Sequence, residues 1–172
     1  MKEEYPYSFN DVSLKKINGY INKFINREEI RIFEIGSRDA ADAFFLCTLN
    51  SKIKIISFDG SPTFKDLSKN FLEMCPRIEI NESLISDKNG EVNFFLTKNF
   101  IDDEQYRLGS AASSILKPKL GLNGLPIESF KKIKVKSITG KEAIKKFFIP
   151  SALILDVQGA ELNVLKSFKD DL

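Results

Sequence analysis

The stretch that decides the fold is IRIFEIGSRDAADAF, residues Ile30 to Phe44. It opens with an apolar run that Glu34 interrupts, turns at Gly36, and continues as a predicted helix. A carboxylate inside an apolar strand is costly unless it meets hydrogen-bond donors or a cation. A glycine lets the backbone approach a ligand closely. We therefore expect Glu34 and Gly36 to lie at a binding site; the alternative is that Glu34 is a surface residue on a strand edge.

Predicted strands and helices alternate on both sides of this stretch. A first helix is predicted over residues 13–28, and the core begins at about residue 30. Further strands are predicted at residues 52–58, 77–86, 91–97, 133–139 and 152–157. Further helices are predicted at residues 39–50, after residue 61, at 140–148 and from residue 160. This alternation indicates one α/β domain, residues 1–172, with a mostly parallel sheet and helices on both faces.

Local signals mark several turns and helix starts. Ser61, which precedes a proline, is predicted to cap the third helix. Asn89-Gly90 suits the positive φ angles of a hairpin between the strands at 77–86 and 91–97. Thr139 and Glu142 form a capping-box pattern. Strands 52–58 and 152–157 are apolar enough to be covered on both faces.

Polar residues follow four of the predicted strands. In parallel sheets, ligands bind at the carboxyl ends of the strands. The strand ends that should meet at this edge are Glu34-Ile35-Gly36, Asp59-Gly60, Ser86-Asp87 and Asp156-Val157-Gln158-Gly159. Their convergence predicts a ligand site, although Asp59 could instead cap only the turn that follows it.

The spacing of these residues narrows the class of ligand. Asp59 ends the strand after Glu34, where an acidic residue can accept both hydroxyls of a ribose. A G-x-G-x-x-G phosphate cradle is absent, because Ala40 stands where a later glycine would be. The expected ligand is therefore a nucleoside without an essential pyrophosphate. S-adenosylmethionine fits, with its adenine, ribose and charged amino-acid tail.

In this order, FEIGSRDAADAF, ISFDGSPTF, SLISDKNGEVNFF, SAASSIL, IKVKSITG and LILDVQGAELNVLKSF resemble the FkbM-type methyltransferase family. The resemblance covers residues 32–168, and the Asp-Val-Gln-Gly-Ala-Glu-Leu segment is its most specific part. It implies a class I methyltransferase fold, which is Rossmann-like. It also implies S-adenosylmethionine-dependent O-methylation of a hydroxyl on a sugar or natural product.

The resemblance also assigns site residues. Glu34 and Gly36, with Ser37, match the first cofactor motif, and Asp59, with Gly60, matches the ribose site. Ser86 and Asp87 match the position that faces adenine.

Asp156 and Glu161 match the acidic pair around the fourth core strand, and we expect them to be the catalytic residues. Asp156 is the first candidate for the base that takes the acceptor's proton. Glu161 could instead only stabilise the N-terminus of the next helix. Ser113 and Ser114, in a long loop, are expected either to order over the site or to form a solvated turn.

Composition limits the other function classes. The 172 residues carry a net charge of +2, which gives no reason to predict nucleic-acid binding. Histidine is absent, which removes Ser-His and Cys-His nucleophiles and argues against a metal site. No apolar run approaches 18 residues, so we expect a cytoplasmic protein with no membrane partner. Cys47 and Cys75 lack a C-x-x-C pattern and are expected to be buried and reduced.

Leu172 follows the fourth core strand and its helix, whereas the resemblance implies up to three further strands. We expect either a fragment that lacks these C-terminal strands or an edge strand covered by a partner, such as a second copy of the chain. Two alternatives to a methyltransferase stay open. One is a nucleotide-binding oxidoreductase of Rossmann type, and the other is a non-catalytic, truncated interaction domain.

Overall fold

A computed structural model describes residues 12–97, 113–117 and 130–169 of the chain. The helices in these ranges are α1 Val12–Phe24, α2 Ala41–Leu49, α3 Phe64–Met74, α4 Gly140–Lys146 and α5 Glu161–Phe168. The strands are β1 Ile30–Ile35, β2 Ile53–Phe58, β3 Ile78–Asn81, β4 Leu84–Ile85, β5 Gly90–Thr97, β6 Phe130–Ile138 and β7 Ala152–Leu155.

The main sheet is parallel and contains four strands in the order β3-β2-β1-β7. Glu34 pairs with Ser57 on one side and with Ile154 on the other. Since all four strands run in the same direction, their carboxyl ends meet at one edge of the sheet. The α/β class and the mostly parallel core sheet that the sequence predicts are confirmed.

Apolar side chains cover both faces of this sheet because successive strand residues point to opposite sides. Ile32 and Ile55 pack with α1, α2 and α3 in one buried cluster. Phe33 and Phe58 pack with α4 and α5 in another. The two rings of this pair meet edge-to-face, with centroids 5.1 Å apart. The helices therefore lie on both faces, as predicted, and hold the strand ends in fixed positions.

The predicted strand at residues 77–86 is wrong as a single element. The chain bends at Glu82-Ser83, so that β3 joins the main sheet and β4 joins a second, three-stranded sheet in the order β4-β6-β5. β6 lies between β4 and β5, pairing parallel with the first and antiparallel with the second. The predicted hairpin around Asn89-Gly90 therefore does not form as a direct strand pair. Gly90 nevertheless has the positive φ, 109°, that the turn required.

Two helix boundaries also differ from the predictions. α1 ends at Phe24 rather than at residue 28. α3 begins at Phe64, with Thr63 as its N-cap and no capping bond from a side chain. The Ser61 hydroxyl instead lies 2.9 Å from the Thr63 hydroxyl, within the turn before the helix. By contrast, the Thr139 hydroxyl accepts the Glu142 N–H at 3.2 Å, as the capping-box pattern predicts for α4.

β7 is less buried than its apolar sequence suggests. It pairs only with β1 among the described residues, and Ala152 to Leu155 are all half-exposed. Cys47 and Cys75 are both buried, as expected. Within the part of the chain that the structure describes, no helix combines the length and the apolar character needed to cross a membrane.

Candidate active site

A cleft of about 230 Å³ lies at the carboxyl ends of β1, β2 and β7. Of the residues predicted for the site, the cleft brings together Glu34, Gly36, Ser37, Asp59 and Asp156. Ile35 and Val157, which belong to the predicted strand ends, line it as well. The sequence did not point to the other lining residues, which are Arg38, Asp39, Asp42, Phe58, Leu84, Ile85, Phe94, Ile115, Ile154 and Ala160.

Gly36 forms the turn after β1, and its backbone conformation requires glycine. Its φ is +86°, and a β-carbon on it would lie 2.1 Å from the carbonyl oxygen of Asp156. The N–H groups of Gly36 and Ser37 donate to the Phe58 carbonyl at 2.9 and 3.2 Å. Glycine thus lets three strand ends, from β1, β2 and β7, come together at the floor of the cleft.

Glu34 presents a buried carboxyl group to this cleft. The residue is 4% exposed, and its Oε2 atom has no hydrogen-bond partner. Burial raises the pKa of Glu34 from 4.5 to about 7, partly opposed by the hydroxyls of Ser37 and Ser57. Because a buried polar atom without a partner is costly, this carboxyl is poised to gain free energy from a cation or a hydrogen-bond donor.

Asp59 ties the turns after β1 and β2 together. Its Oδ2 accepts the backbone N–H of Arg38 at 2.9 Å, and its Oδ1 accepts that of Ser61 at 2.7 Å. Burial raises its pKa, while these two backbone donors act in the opposite direction. Each carboxylate oxygen has two lone pairs, so Asp59 caps the turn and still keeps acceptor capacity toward the cleft that it lines.

Acidic side chains lie at the start of α2, at the position where a phosphate-binding site would leave the helix N-terminus open to an anion. Asp39 is buried, with Oδ1 accepting the Ala41 N–H at 3.1 Å and Oδ2 accepting from Arg38 at 2.8 Å. Asp42 lies in the first turn of the helix and also lines the cleft. A helix N-terminus attracts anions, but these carboxylates already occupy that position.

Ala40 precedes α2 in the left-handed conformation, with φ 63° and no exposed surface. A non-glycine residue is strained there. The turn therefore has the left-handed backbone conformation that a glycine at this position would favour, although the residue is alanine.

The two candidate catalytic residues lie in different surroundings. Asp156 is exposed at the cleft, and its Oδ1 accepts from the Gln158 side chain at 2.9 Å. Glu161 does not line the cleft. Its Oε1 accepts the Gly159 N–H at 3.1 Å, next to the start of α5. Glu161 thus binds the turn that precedes the helix, whereas Asp156 lines the cleft in which a ligand would lie.

Three further predicted cofactor residues lie outside the cleft lining. Ser86 is buried, with its hydroxyl 2.6 Å from that of Ser137 in β6. Asp87 is exposed beyond β4. Gly60 packs against Leu84, whose Cγ atom would lie 2.6 Å from a β-carbon on this glycine. The bend at Glu82-Ser83 sends β4 into the second sheet, which moves Ser86 and Asp87 away from the main sheet edge.

Part of the predicted long loop does reach the site. Ser114 is buried and forms a two-hydrogen-bond bridge with Phe95 of β5. Its hydroxyl also donates to the Gln158 carbonyl at 3.2 Å. Ser113 and Ser114 both line the cleft. The segment at Ser113 and Ser114 therefore joins the second sheet to the turn after β7. The length of the loop was the feature of the sequence that indicated a role for this segment at the site.

The cleft is acidic overall. Five carboxyl side chains line it against one guanidinium, that of Arg38, and this guanidinium is paired with Asp39. In the described ranges, no group of three or more carboxyl, thiol or imidazole side chains is arranged to hold a metal ion. This charge distribution suits an organic cation and disfavours a polyanionic ligand.

The chain is similar to proteins named as methyltransferases. It is 25% identical over 166 residues to the 2-O-methyltransferase NoeI of Sinorhizobium fredii (strain NBRC 101917 / NGR234). The match covers 91% of this chain and 65% of NoeI, so the chain spans less than two thirds of that protein's length. A solved precorrin-6y C5,15-methyltransferase from Geobacter metallireducens GS-15 matches with a TM-score of 0.34 and 12% identity, over 48% of this chain and 45% of that one. No family model matches the chain.

Proposed function

We propose that this chain is an S-adenosylmethionine-dependent methyltransferase of FkbM type that O-methylates a hydroxyl of a sugar or natural product. The observation that carries the proposal is the unpartnered Oε2 atom of buried Glu34 in an acidic cleft at the strand ends. A cationic donor with a ribose matches the charge of this cleft and the free acceptor capacity of Asp59. The similarity to NoeI, a 2-O-methyltransferase, supports the same reaction class.

When bound, S-adenosylmethionine would supply an electrophilic methyl group to the acceptor oxygen. The bond between this methyl group and the sulfonium sulfur would break, and the sulfur would become a thioether. The chain's own residues do the positioning. In this proposal Glu34, when ionised, would face the ligand's cationic ammonium, and Asp59 would accept from the ribose hydroxyls. Holding the two reactants in line contributes several kcal/mol to such a reaction.

Asp156 is the residue proposed to act on the acceptor. It is exposed at the end of β7, and its backbone N–H donates to the Ile35 carbonyl at 3.0 Å, which fixes its position. Its carboxylate would orient the acceptor hydroxyl and take its proton as the oxygen–carbon bond forms. An ordinary carboxylate matches an alcohol proton poorly, so this transfer must accompany the movement of the methyl group.

The acidity of the cleft also weighs against the oxidoreductase alternative. A dinucleotide brings a pyrophosphate, which would meet Asp39 and Asp42 at the start of α2 instead of free backbone N–H groups. The interaction-domain alternative offers no role for a buried, unpartnered carboxyl that faces a cleft.

A thermal-shift comparison separates these three functions. Because a ligand that binds only the native state stabilises it by mass action, S-adenosylhomocysteine at saturation should raise the Tm by several degrees. NAD at the same concentration should leave the Tm unchanged. A shift with NAD alone would support the oxidoreductase, and no shift with either ligand would support the interaction domain.

A further inference from the structure

The turn after β7 contains a strained residue that has no role in the proposed mechanism so far. The turn is closed by a hydrogen bond of 3.3 Å from the Ala160 N–H to the Val157 carbonyl. Its two central residues, Gln158 and Gly159, have φ angles of +53° and +95°, as in a type I′ turn. Asparagine, aspartate and glycine are favoured at the first central position of such a turn, so a glutamine is strained there.

Contacts from two other elements hold this turn in place. The Ser114 hydroxyl donates to the Gln158 carbonyl at 3.2 Å, and Ser114 also pairs with Phe95 of β5. On the other side, the Gly159 N–H donates to the Glu161 carboxylate of α5 at 3.1 Å. The second sheet and α5 therefore both fix the backbone from which the Gln158 side chain extends.

The Gln158 side chain contacts the candidate base. Its Nε2 atom donates to Oδ1 of Asp156 at 2.9 Å. Among the described residues, no hydrogen bond reaches the other carboxylate oxygen, Oδ2. Both side chains are exposed, so water competes for this bond and its net contribution to stability is small. A strained backbone that supports a contact of little structural value points to a functional role for that contact.

We propose that Gln158 is a positioning residue: its amide holds Oδ1 of Asp156, so that Oδ2 is directed to the acceptor hydroxyl. This inference rests on the proposed function and on Asp156 acting on the acceptor. Gln158 does not line the cleft, so it acts through Asp156 and not by contact with the donor. An acceptor that excludes water from the cleft would strengthen the bond between the two side chains.

Gln158→Gly removes the amide and relieves the strain of the positive φ in one change. Its Tm should equal or exceed that of the wild-type protein. Its kcat should nevertheless fall about tenfold or more, the scale of losing one hydrogen bond to a charged group. The acceptor KM and the affinity for S-adenosylhomocysteine should stay within about twofold, because Gln158 contacts neither ligand. The acceptor is the member of a panel of hydroxylated sugars that gives the highest wild-type turnover.

Lys169→Gly is the matched control for the change to glycine. Lys169 is exposed, also has a φ of +53°, and follows α5 outside the cleft lining, so this variant should keep the wild-type kcat. Gln158→Asn tests whether added backbone flexibility is the cause. Asparagine tolerates the left-handed conformation, but its side chain is one methylene shorter, and we expect the same loss of kcat. In an Asp156→Asn background, Gln158→Gly should cost no further turnover, because the two residues act as a unit.

The contact itself can be measured without an acceptor. The side-chain amide resonances of Gln158 are identified in NMR spectra by their absence from Gln158→Gly. They should shift in Asp156→Asn, which changes the group that accepts from this amide. They should keep their positions in Glu79→Gln, which changes an exposed carboxyl on β3.

Three results would overturn the positioning role and leave the proposed function intact. They are a wild-type kcat in the folded Gln158 variants, a loss confined to the acceptor KM, and an amide resonance that Asp156→Asn does not shift. If Gln158→Gly does not fold, Gln158→Asn and the amide resonance decide. Failure of the wild-type protein to bind S-adenosylhomocysteine, or to methylate any sugar of the panel, would overturn the proposed function and the positioning role with it.

Discussion

The carbonyl oxygen of Asp156 approaches Gly36 so closely that a β-carbon on this glycine would lie 2.1 Å away. The contact joins the end of β7 to the turn after β1. It places the candidate catalytic carboxylate beside the proposed donor site through the backbone alone. The geometry of the whole cleft therefore depends on one residue having no side chain.

Gly36→Ala tests this dependence. Alanine would be strained at a φ of +86° and would force the Asp156 backbone away, so we expect a loss of more than about 3 kcal/mol in the free energy of unfolding. Gly19→Ala is the matched control, because Gly19 lies in α1 with no atom within 4 Å of its β-carbon position. It should stabilise the protein by about 0.5–1 kcal/mol. Urea unfolding measures both, and similar stabilities for the two variants would contradict the steric account.

The sequence was sufficient to predict the main sheet and the acidic strand ends, because both leave local signals. Glu34 and Asp59 interrupt apolar runs, and a charge at such a place is visible without a structure. The position of Ser86 and Asp87 was not predictable in the same way. It depends on the bend at Glu82-Ser83 and on the pairing of β4 with β6, which lies about fifty residues further along the chain.

The sequence also did not predict that the cleft would be lined by Arg38, Asp39 and Phe94, because their position there depends on the tertiary structure. An aromatic residue in an alternating strand is usually a core residue, and Phe94 is indeed part of a buried cluster. Only the placement of the second sheet beside Gly60 brings one side of that cluster to the cleft. Arg38 and Ala40 likewise have left-handed backbones, with φ of 61° and 63°, which the local preferences of arginine and alanine do not predict.

At neutral and alkaline pH, ionisation of the buried Glu34 carboxyl should lower the free energy of unfolding of the ligand-free protein. Its pKa is raised from 4.5 to about 7 in the native state, so folding favours the protonated form. The stability that depends on this proton is present below pH 4.5 and is lost as pH rises from there through about 7. Glu34→Gln should therefore stabilise the protein by up to about 3 kcal/mol at pH 8 and by little at pH 4.5.

Denaturant unfolding of Glu34→Gln at both pH values measures this effect. Glu79→Gln, which changes an exposed carboxyl on β3, serves as the control and should change stability by less than about 0.5 kcal/mol at either pH. A stability gain for Glu34→Gln that does not depend on pH would show that ionisation of this carboxyl is not the cause.

Asp156→Asn should separate catalysis from donor binding. Asp156 is exposed, and its Oδ1 atom accepts a hydrogen bond from the Gln158 side chain, so the affinity for S-adenosylhomocysteine should stay within about threefold, or roughly 0.7 kcal/mol. Turnover should fall by about 10²-fold or more, as for the loss of a general base. Production of S-adenosylhomocysteine from S-adenosylmethionine, assayed with a panel of hydroxylated sugars, follows turnover.

Glu161→Gln is the comparison for Asp156→Asn, because the Glu161 carboxylate accepts the Gly159 N–H in the turn before α5 and does not line the cleft. It should lower stability slightly and keep most of the turnover. If Glu161→Gln abolishes turnover while Asp156→Asn does not, the roles of the two residues are reversed. If Asp156→Asn abolishes donor binding in a folded protein, Asp156 belongs to the donor site.

The most direct test is a calorimetric titration of the wild-type protein and of Glu34→Gln with S-adenosylmethionine at pH 7.5. The wild-type protein should bind one equivalent, and Glu34→Gln should bind at least tenfold more weakly, a loss of about 1.4 kcal/mol, because a charge-assisted contact to the ligand's ammonium is removed. Absence of binding by the folded wild-type protein, or equal affinity in Glu34→Gln, would contradict the claim that this acidic cleft holds the cationic methyl donor.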